Sequence, residues 1–106
     1  MAYVYQVGFV IEPSQFDELT IGAPLERTLS YLRALLPSSD GYISARAMSS
    51  VDDPDHIHVL IESAWITWAF LKEHRESGIA ENKVLLEFEP HVQLENLTSR
   101  VFEEVS

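Results

Sequence analysis

Residues 56–77 constrain the fold more than any other part of the chain, because their pattern changes from that of a strand to that of a helix. Residues 56–61 are apolar and rich in branched side chains, as half-buried strands are. Thr67 is suited to cap the helix that follows, and Gly78 is suited to the left-handed position that ends it. The stretch therefore predicts a strand that leads directly into a helix, with Trp65 at the junction.

The rest of the chain supplies further elements, whose ends are marked by proline and glycine. Pro13 ends the first strand and Pro37 ends the first helix. Residues 14–21 are compatible with either a short helical turn or a loop. The other predicted elements are a strand at residues 3–12, a helix at 24–36, a strand at 42–48, a helix at 79–89 and a strand at 97–105.

This order of elements predicts a ferredoxin-like split βαβ fold. With right-handed crossovers, it gives one α+β domain over residues 1–106, in which a four-stranded antiparallel sheet carries helices on one face. The first strand is apolar on both faces, since Val4, Gly8 and Val10 lie opposite its tyrosines. Further apolar residues are expected to enlarge the exposed face: Ala45, Ala47, Val59, Ile61, Val101 and Val105.

An exposed apolar sheet face predicts a homodimer. Soluble monomers rarely leave such a face open to water. Packing it against the same face of a second copy would bury on the order of 2,000 Å² or more.

The composition excludes several classes of function. With 17 acidic and 7 basic residues, the net charge is −10, which repels phosphate backbones, so nucleic acid is not an expected partner. No apolar run approaches the roughly 20 residues needed to cross a bilayer, and the N-terminus lacks the basic region of a secretion signal. No membrane partner and a cytoplasmic location are therefore expected. The chain has no cysteine, which rules out disulfides and thiolate chemistry.

The residues at the strand-to-helix junction resemble those of antibiotic biosynthesis monooxygenase-like (ABM) domains, of the dimeric α+β barrel superfamily. The run Glu62-Ser63-Ala64-Trp65 carries the resemblance, together with His74 nine positions after the tryptophan and Ser77 three positions further on. The resemblance covers nearly the whole chain and implies a barrel formed by the sheets of two subunits. Related proteins include cofactor-free oxygenases of aromatic polyketides, haem-degrading enzymes and small proteins of unknown role.

The resemblance favours the oxygenases over the haem-degrading enzymes. The haem-degrading branch uses an asparagine on the first strand together with the tryptophan and the histidine. Here Gln6 stands near that place and is one methylene longer. No cofactor is therefore expected.

His74 is the candidate catalytic base, and Trp65 is a candidate wall of the pocket. His74 shares a helix face with apolar residues, so its imidazole is expected to be directed away from water, where it can accept a proton. Gln6, Arg46 and Tyr5 are candidate ligand-binding residues, and Gln6 or Arg46 is expected to hydrogen-bond His74 if no ligand does. Trp65 is nevertheless expected to be mainly structural, as an anchor of the core, and for His74 the alternative is a hydrogen-bonded core histidine.

No metal site is expected. His56 and His58 lie two apart on a strand and share a face, but a zinc site needs a third ligand that the sequence does not place nearby.

Two functions remain open. The first is a cofactor-independent monooxygenase that acts on an apolar or aromatic small molecule. The chain has no Gly-rich phosphate loop or dinucleotide fingerprint, so such a substrate would supply the electrons itself. The second is a non-catalytic dimeric module that binds a small ligand or a partner protein. A closed pocket with His74 and Trp65 in its wall would favour the enzyme.

Overall fold

A computed structural model of the chain describes residues 1–12 and 22–105. Residues 14–21, for which the sequence allowed a turn or a loop, lie outside the described residues. The elements are β1 (Tyr3–Ile11), α1 (Gly22–Leu35), β2 (Tyr42–Ser49), β3 (Ile57–Trp65), α2 (Trp68–Ser77), α3 (Ile79–Phe88) and β4 (Thr98–Glu103), with short 3-10 turns at Leu36–Ser38 and Leu94–Asn96. Within the described ranges, no helix is both long enough and apolar enough to cross a membrane.

The four strands form one antiparallel sheet in the order β2-β3-β1-β4. In the central pairing of β1 with β3, Val7 lies opposite Ile61, and in the pairing of β1 with β4 it lies opposite Ser99. The two crossover connections leave the first and third strands at the centre of the sheet, as the split βαβ arrangement requires. The predicted ferredoxin-like fold is confirmed.

The helices cover the face of the sheet that carries the odd-numbered residues of β1 and β3. Tyr5, Val7, Phe9 and Ile11 of β1 are all buried there and pack against α1, α2 and α3. The core also includes Leu32, Leu36, Val59, Ile61, Trp65, Leu71, Ala80, Val84, Phe88 and Val92. This face holds the apolar core of the domain.

The prediction for the open face of the sheet is partly wrong. Ala45, Val59 and Ile61 are buried in the covered face, Ala47 and Val101 pack against the core, and Val105 follows the end of β4. Side chains alternate along a strand, so residues in register with Val7 share its face. The open face instead carries a polar row across all four strands, Arg46, Glu62, Gln6 and Arg100.

The two predicted ends of α2 are confirmed. The hydroxyl of Thr67 accepts a hydrogen bond from the backbone N–H of Phe70, and Gly78 adopts a φ of 68°. Gly78 also immediately precedes α3. A single left-handed residue therefore separates the end of α2 from the start of α3. His74 in the last turn of α2 is thereby brought close to the first turn of α3.

We expect Thr67→Ala to lower the free energy of unfolding by about 1 kcal/mol, because the N–H of Phe70 loses its acceptor. Chemical denaturation measures the change. Thr67→Ser keeps the hydroxyl and is the control. Equal losses in the two variants would show that the hydroxyl does not stabilise the helix.

Candidate active site

Trp65, His74 and Tyr5 form an aromatic cluster between the sheet and α2. Trp65 and Tyr5 lie on the covered face of the sheet, in β3 and β1, and His74 lies on α2. The imidazole stacks on the indole with ring centroids 4.8 Å apart and an interplanar angle of 27°. Tyr5 meets the imidazole edge-on, with centroids 5.7 Å apart. Three of the five predicted site residues therefore lie together.

The indole N–H of Trp65 has a hydrogen-bond partner in the same strand. Its indole Nε1 donates a hydrogen bond to the hydroxyl of Ser63 at 2.9 Å. The ring of Tyr42 packs edge-on against it from β2. Trp65 is therefore held rigidly and presents one face of its ring to His74.

His74 is 5% exposed, and its Nε2 has no hydrogen-bond partner among residues 1–12 and 22–105. Burial lowers the pKa of His74 below its ordinary value of 6.5, and the nearby carboxylate of Glu81 acts in the opposite direction. The imidazole is therefore neutral at pH 7 and has a nitrogen free to accept a proton.

Glu81 completes the cluster, and sequence reasoning missed it. The hydroxyl of Tyr5 donates a hydrogen bond to Glu81 Oε1, whereas Glu81 Oε2 is buried with no partner among the described residues. Burial, reinforced by this carboxylate, raises the pKa of Tyr5 to about 12. The sequence did contain one signal for Glu81. It is an acidic residue in the first turn of the helix that follows Gly78, and the N-terminus of a helix favours a carboxylate.

A cleft of about 360 Å³ opens beside the cluster. Its size is in the range of pockets that hold small molecules. Its lining combines aromatic and apolar groups with hydroxyls and carboxylates: Ser38, Ser39, Asp40, Trp65, Phe70, Glu73, His74, Ser77 and Ile79. His74 and Trp65 form part of the wall of this cleft, and both are almost wholly buried.

Gln6 and Arg46 lie on the opposite face of the sheet from His74. Both are bound to Glu62, whose carboxylate accepts a hydrogen bond from Arg46 Nε at 2.8 Å and another from Gln6 Nε2 at 3.3 Å. The prediction that either residue would hydrogen-bond His74 is wrong, because the sheet separates them. That Gln6 and Arg46 bind a ligand stays a prediction.

His56 and His58 are placed at the start of β3, away from the cluster. The imidazole of His56 lies 3.5 Å from a carboxylate oxygen of Asp53 and 3.9 Å from one of Glu12. In the part of the chain that the structure describes, no three residues among His, Cys, Asp and Glu are arranged to hold a metal ion. The absence of a zinc site stays a prediction.

Comparison with known proteins identifies the fold but no close relative. No protein-family profile matches the sequence, and no curated protein matches it. Among solved structures, an antibiotic biosynthesis monooxygenase is similar at a TM-score of 0.60 and 24% identity, with all of both chains covered. A mutant of SnoaB, a cofactor-independent oxygenase from Streptomyces nogalater, is similar at a TM-score of 0.63 and 8% identity, covering 99% of this chain and 94% of that one.

A third similar structure separates fold from function. The de novo designed protein Foldit4 is similar at a TM-score of 0.61 and 8% identity, covering 99% of this chain and 100% of that one. A shared fold therefore does not carry an activity by itself. The chain has the fold of ABM-like domains, which confirms the resemblance in fold, and function has to be argued from the site.

Proposed function

We propose that this ABM-like domain is a cofactor-independent monooxygenase of an apolar or aromatic small molecule, with His74 as its catalytic base. One observation carries the proposal: a buried imidazole with an unpartnered nitrogen stacks on Trp65 in the wall of a cleft. A histidine in a merely structural role would be expected to have a hydrogen-bond partner, because an unpaired buried polar group costs about 1–3 kcal/mol. The similarity in fold to SnoaB, a cofactor-independent oxygenase, is compatible with this chemistry.

The substrate we propose is a phenol or hydroquinone that supplies the electrons. His74 takes the phenolic proton, and the resulting anion is electron-rich enough to react with dioxygen. For a phenol with a free para carbon, O2 adds at that carbon, and loss of water leaves a quinone. One oxygen atom forms the new carbonyl and the other leaves as water, so the substrate loses four electrons and O2 gains four.

The surroundings of His74 suit a neutral aromatic substrate. Phe70 is half-buried and lines the cleft beside the almost wholly buried Trp65, so an aromatic ring can pack there. Asp40 and Glu73 also line the cleft, and none of its described lining residues is a lysine or an arginine. The described lining therefore offers no lysine or arginine to pair with the two propionates of haem, which disfavours haem.

Oxygen uptake by the wild-type protein tests this function. The protein, freed of metal by a chelator, is mixed with a panel of neutral phenols and hydroquinones and with carboxylated analogues. We expect O2 uptake with the neutral compounds, and one 18O atom in each quinone formed from a phenol under 18O2. Saturable binding of these compounds without O2 uptake would favour the non-catalytic ligand-binding module instead.

We also propose that two copies of the chain pair through the open faces of their sheets. Val10, Met48 and Phe102 are exposed on that face, and Val4 and Leu60 are half-buried beside them. The three exposed residues come from three different strands, so the apolar surface spreads across the sheet. Soluble monomers rarely expose an apolar face of this kind.

Leu60→Lys is expected to dissociate the dimer, because it places a charge at the centre of the proposed interface. Sedimentation velocity at micromolar concentration should show a dimer for the wild type and a monomer for this variant. Leu86→Lys, on the exposed side of α3, is the matched control and should remain a dimer. A wild-type protein that sediments as a monomer would contradict the proposal.

A further inference from the structure

We infer that the carboxylate of Glu81, held by the hydroxyl of Tyr5, is the counter-charge of His74 when its imidazole accepts a proton. In a reaction that uses His74 as base, Glu81 and Tyr5 are then positioning residues that act through His74. The catalytic part of this inference rests on the proposed function, whereas the electrostatic part concerns the folded protein alone.

The contact geometry links the three side chains. Tyr5 bridges the other two, since its ring edge meets the imidazole and its hydroxyl donates to Glu81 Oε1. Gly78 makes this possible, because its left-handed conformation turns the chain between α2, which carries His74, and α3, which carries Glu81. Glu81 is not among the residues that line the cleft.

Two buried polar atoms of the cluster have no hydrogen-bond partner among the residues that the structure describes. Glu81 Oε2 is an acceptor without a donor, and His74 Nε2 is a nitrogen without a partner in the described part of the chain. A neutral imidazole with its proton on Nδ1 leaves both atoms as acceptors. Once protonated, the imidazole carries a positive charge that the negative charge of Glu81 attracts. The carboxylate of Glu81 thus offsets part of the cost of protonating the buried imidazole.

Glu81 is better placed for this role than the other charged groups nearby. Asp40 and Glu73 lie on the side of the cleft and are exposed, so solvent screens their charges. Arg75 is also exposed, and its charge acts on Tyr5, whose pKa it lowers slightly against burial and the carboxylate. The charge of Glu81 raises the pKa of His74 against the larger effect of burial.

Two substitutions should shift the pH at which His74 is protonated, and they should shift it in opposite directions. Glu81→Gln removes the counter-charge and keeps an acceptor for Tyr5, so protonation of His74 should shift to lower pH. Tyr5→Phe removes the donor that disperses the carboxylate's charge, so protonation of His74 should shift to higher pH. Loosened packing alone would expose the imidazole in both variants. It would then shift the midpoint of His74 protonation in the same direction in both.

A titration of the four histidines by nitrogen-detected NMR tests the inference without any substrate. His56, His58 and His91 are internal controls and should keep their midpoints. Glu76→Gln removes one carboxylate from the exposed side of α2 and is the matched charge control, which should leave the midpoint of His74 in place.

The expected result is a lower midpoint for His74 in Glu81→Gln and a higher one in Tyr5→Phe. An unchanged midpoint in Glu81→Gln, or the same shift in Glu76→Gln, would overturn the inference. If Glu81→Gln does not fold, Tyr5→Phe decides, since a lowered or unchanged midpoint there also contradicts it. The titration succeeds or fails independently of oxygen uptake, so it separates this inference from the proposed function. Where turnover is measurable, its pH profile should shift in the same direction as the midpoint.

Discussion

Replacing Trp65 by alanine is expected to lower the free energy of unfolding by about 3–5 kcal/mol, the usual cost of emptying a large core site. Trp65 is 1% exposed and is packed on two sides by rings, His74 on its face and Tyr42 at its edge. The substitution also leaves the hydroxyl of Ser63 without its donor. Equilibrium unfolding in urea, followed by far-UV circular dichroism, measures the loss.

Trp68 provides a matched control for that experiment. It is 44% exposed at the start of α2, so Trp68→Ala removes the same side chain from a site that is largely in water. We expect its effect to be much smaller than that of Trp65→Ala. Wild-type stability in Trp65→Ala would mean that Trp65 serves a ligand and not the core.

Replacing His74 by glutamine is expected to lower turnover by roughly 10²–10⁴-fold, the usual contribution of a general base. Glutamine keeps a polar group of similar reach but cannot take up a proton at neutral pH. Steady-state oxygen uptake, with the phenol or hydroquinone that the wild type uses best, measures the loss. His56→Gln is the control, because it makes the same change at an exposed histidine far from the cleft.

The same substitution should alter how stability depends on pH. The pKa of His74 in the folded protein lies below its ordinary value of 6.5, so below that pH the unfolded chain binds this proton more readily than the folded one. The contribution of neutral His74 to stability is therefore complete above about pH 6.5 and is lost as the pH falls. As the pH is lowered from 7 to below 6.5, the free energy of unfolding should fall more in the wild type than in His74→Gln.

The sequence predicted the fold well because its local signals agree with one another. The alternation in residues 3–12, the Thr67 cap and the Gly78 break all point to the elements that are observed. The burial of Trp65 was also predictable, because a large aromatic at a strand-to-helix junction rarely stays in water.

The faces of the sheet were harder to predict from the sequence. β1 is apolar on both faces, so its alternation cannot tell which face the helices cover. In β2 a bulge between Tyr42 and Ser44 shifts the register. Simple alternation places Tyr42 and Arg46 on one face, whereas Tyr42 packs on Trp65 and Arg46 binds Glu62 on the other.

The polar half of the cluster depends on tertiary contacts. Tyr5 and Glu81 are far apart in the chain and meet only because the chain turns at Gly78 and α3 then packs against the sheet. No local sequence pattern predicts the hydrogen bond between Tyr5 and Glu81. Polar partners brought together by packing are thus the part of this site that required the structure.

Comparing His74→Gln with the wild type in two assays tests the central claim that the buried, unpartnered imidazole is the base of a catalytic site. The assays are oxygen uptake with a phenol or hydroquinone that the wild type oxidises, and the melting temperature. We predict that oxygen uptake collapses in His74→Gln while the melting temperature changes little, with His56→Gln unchanged in both. A large fall in melting temperature with oxygen uptake retained would contradict the account and would make His74 a histidine of the core.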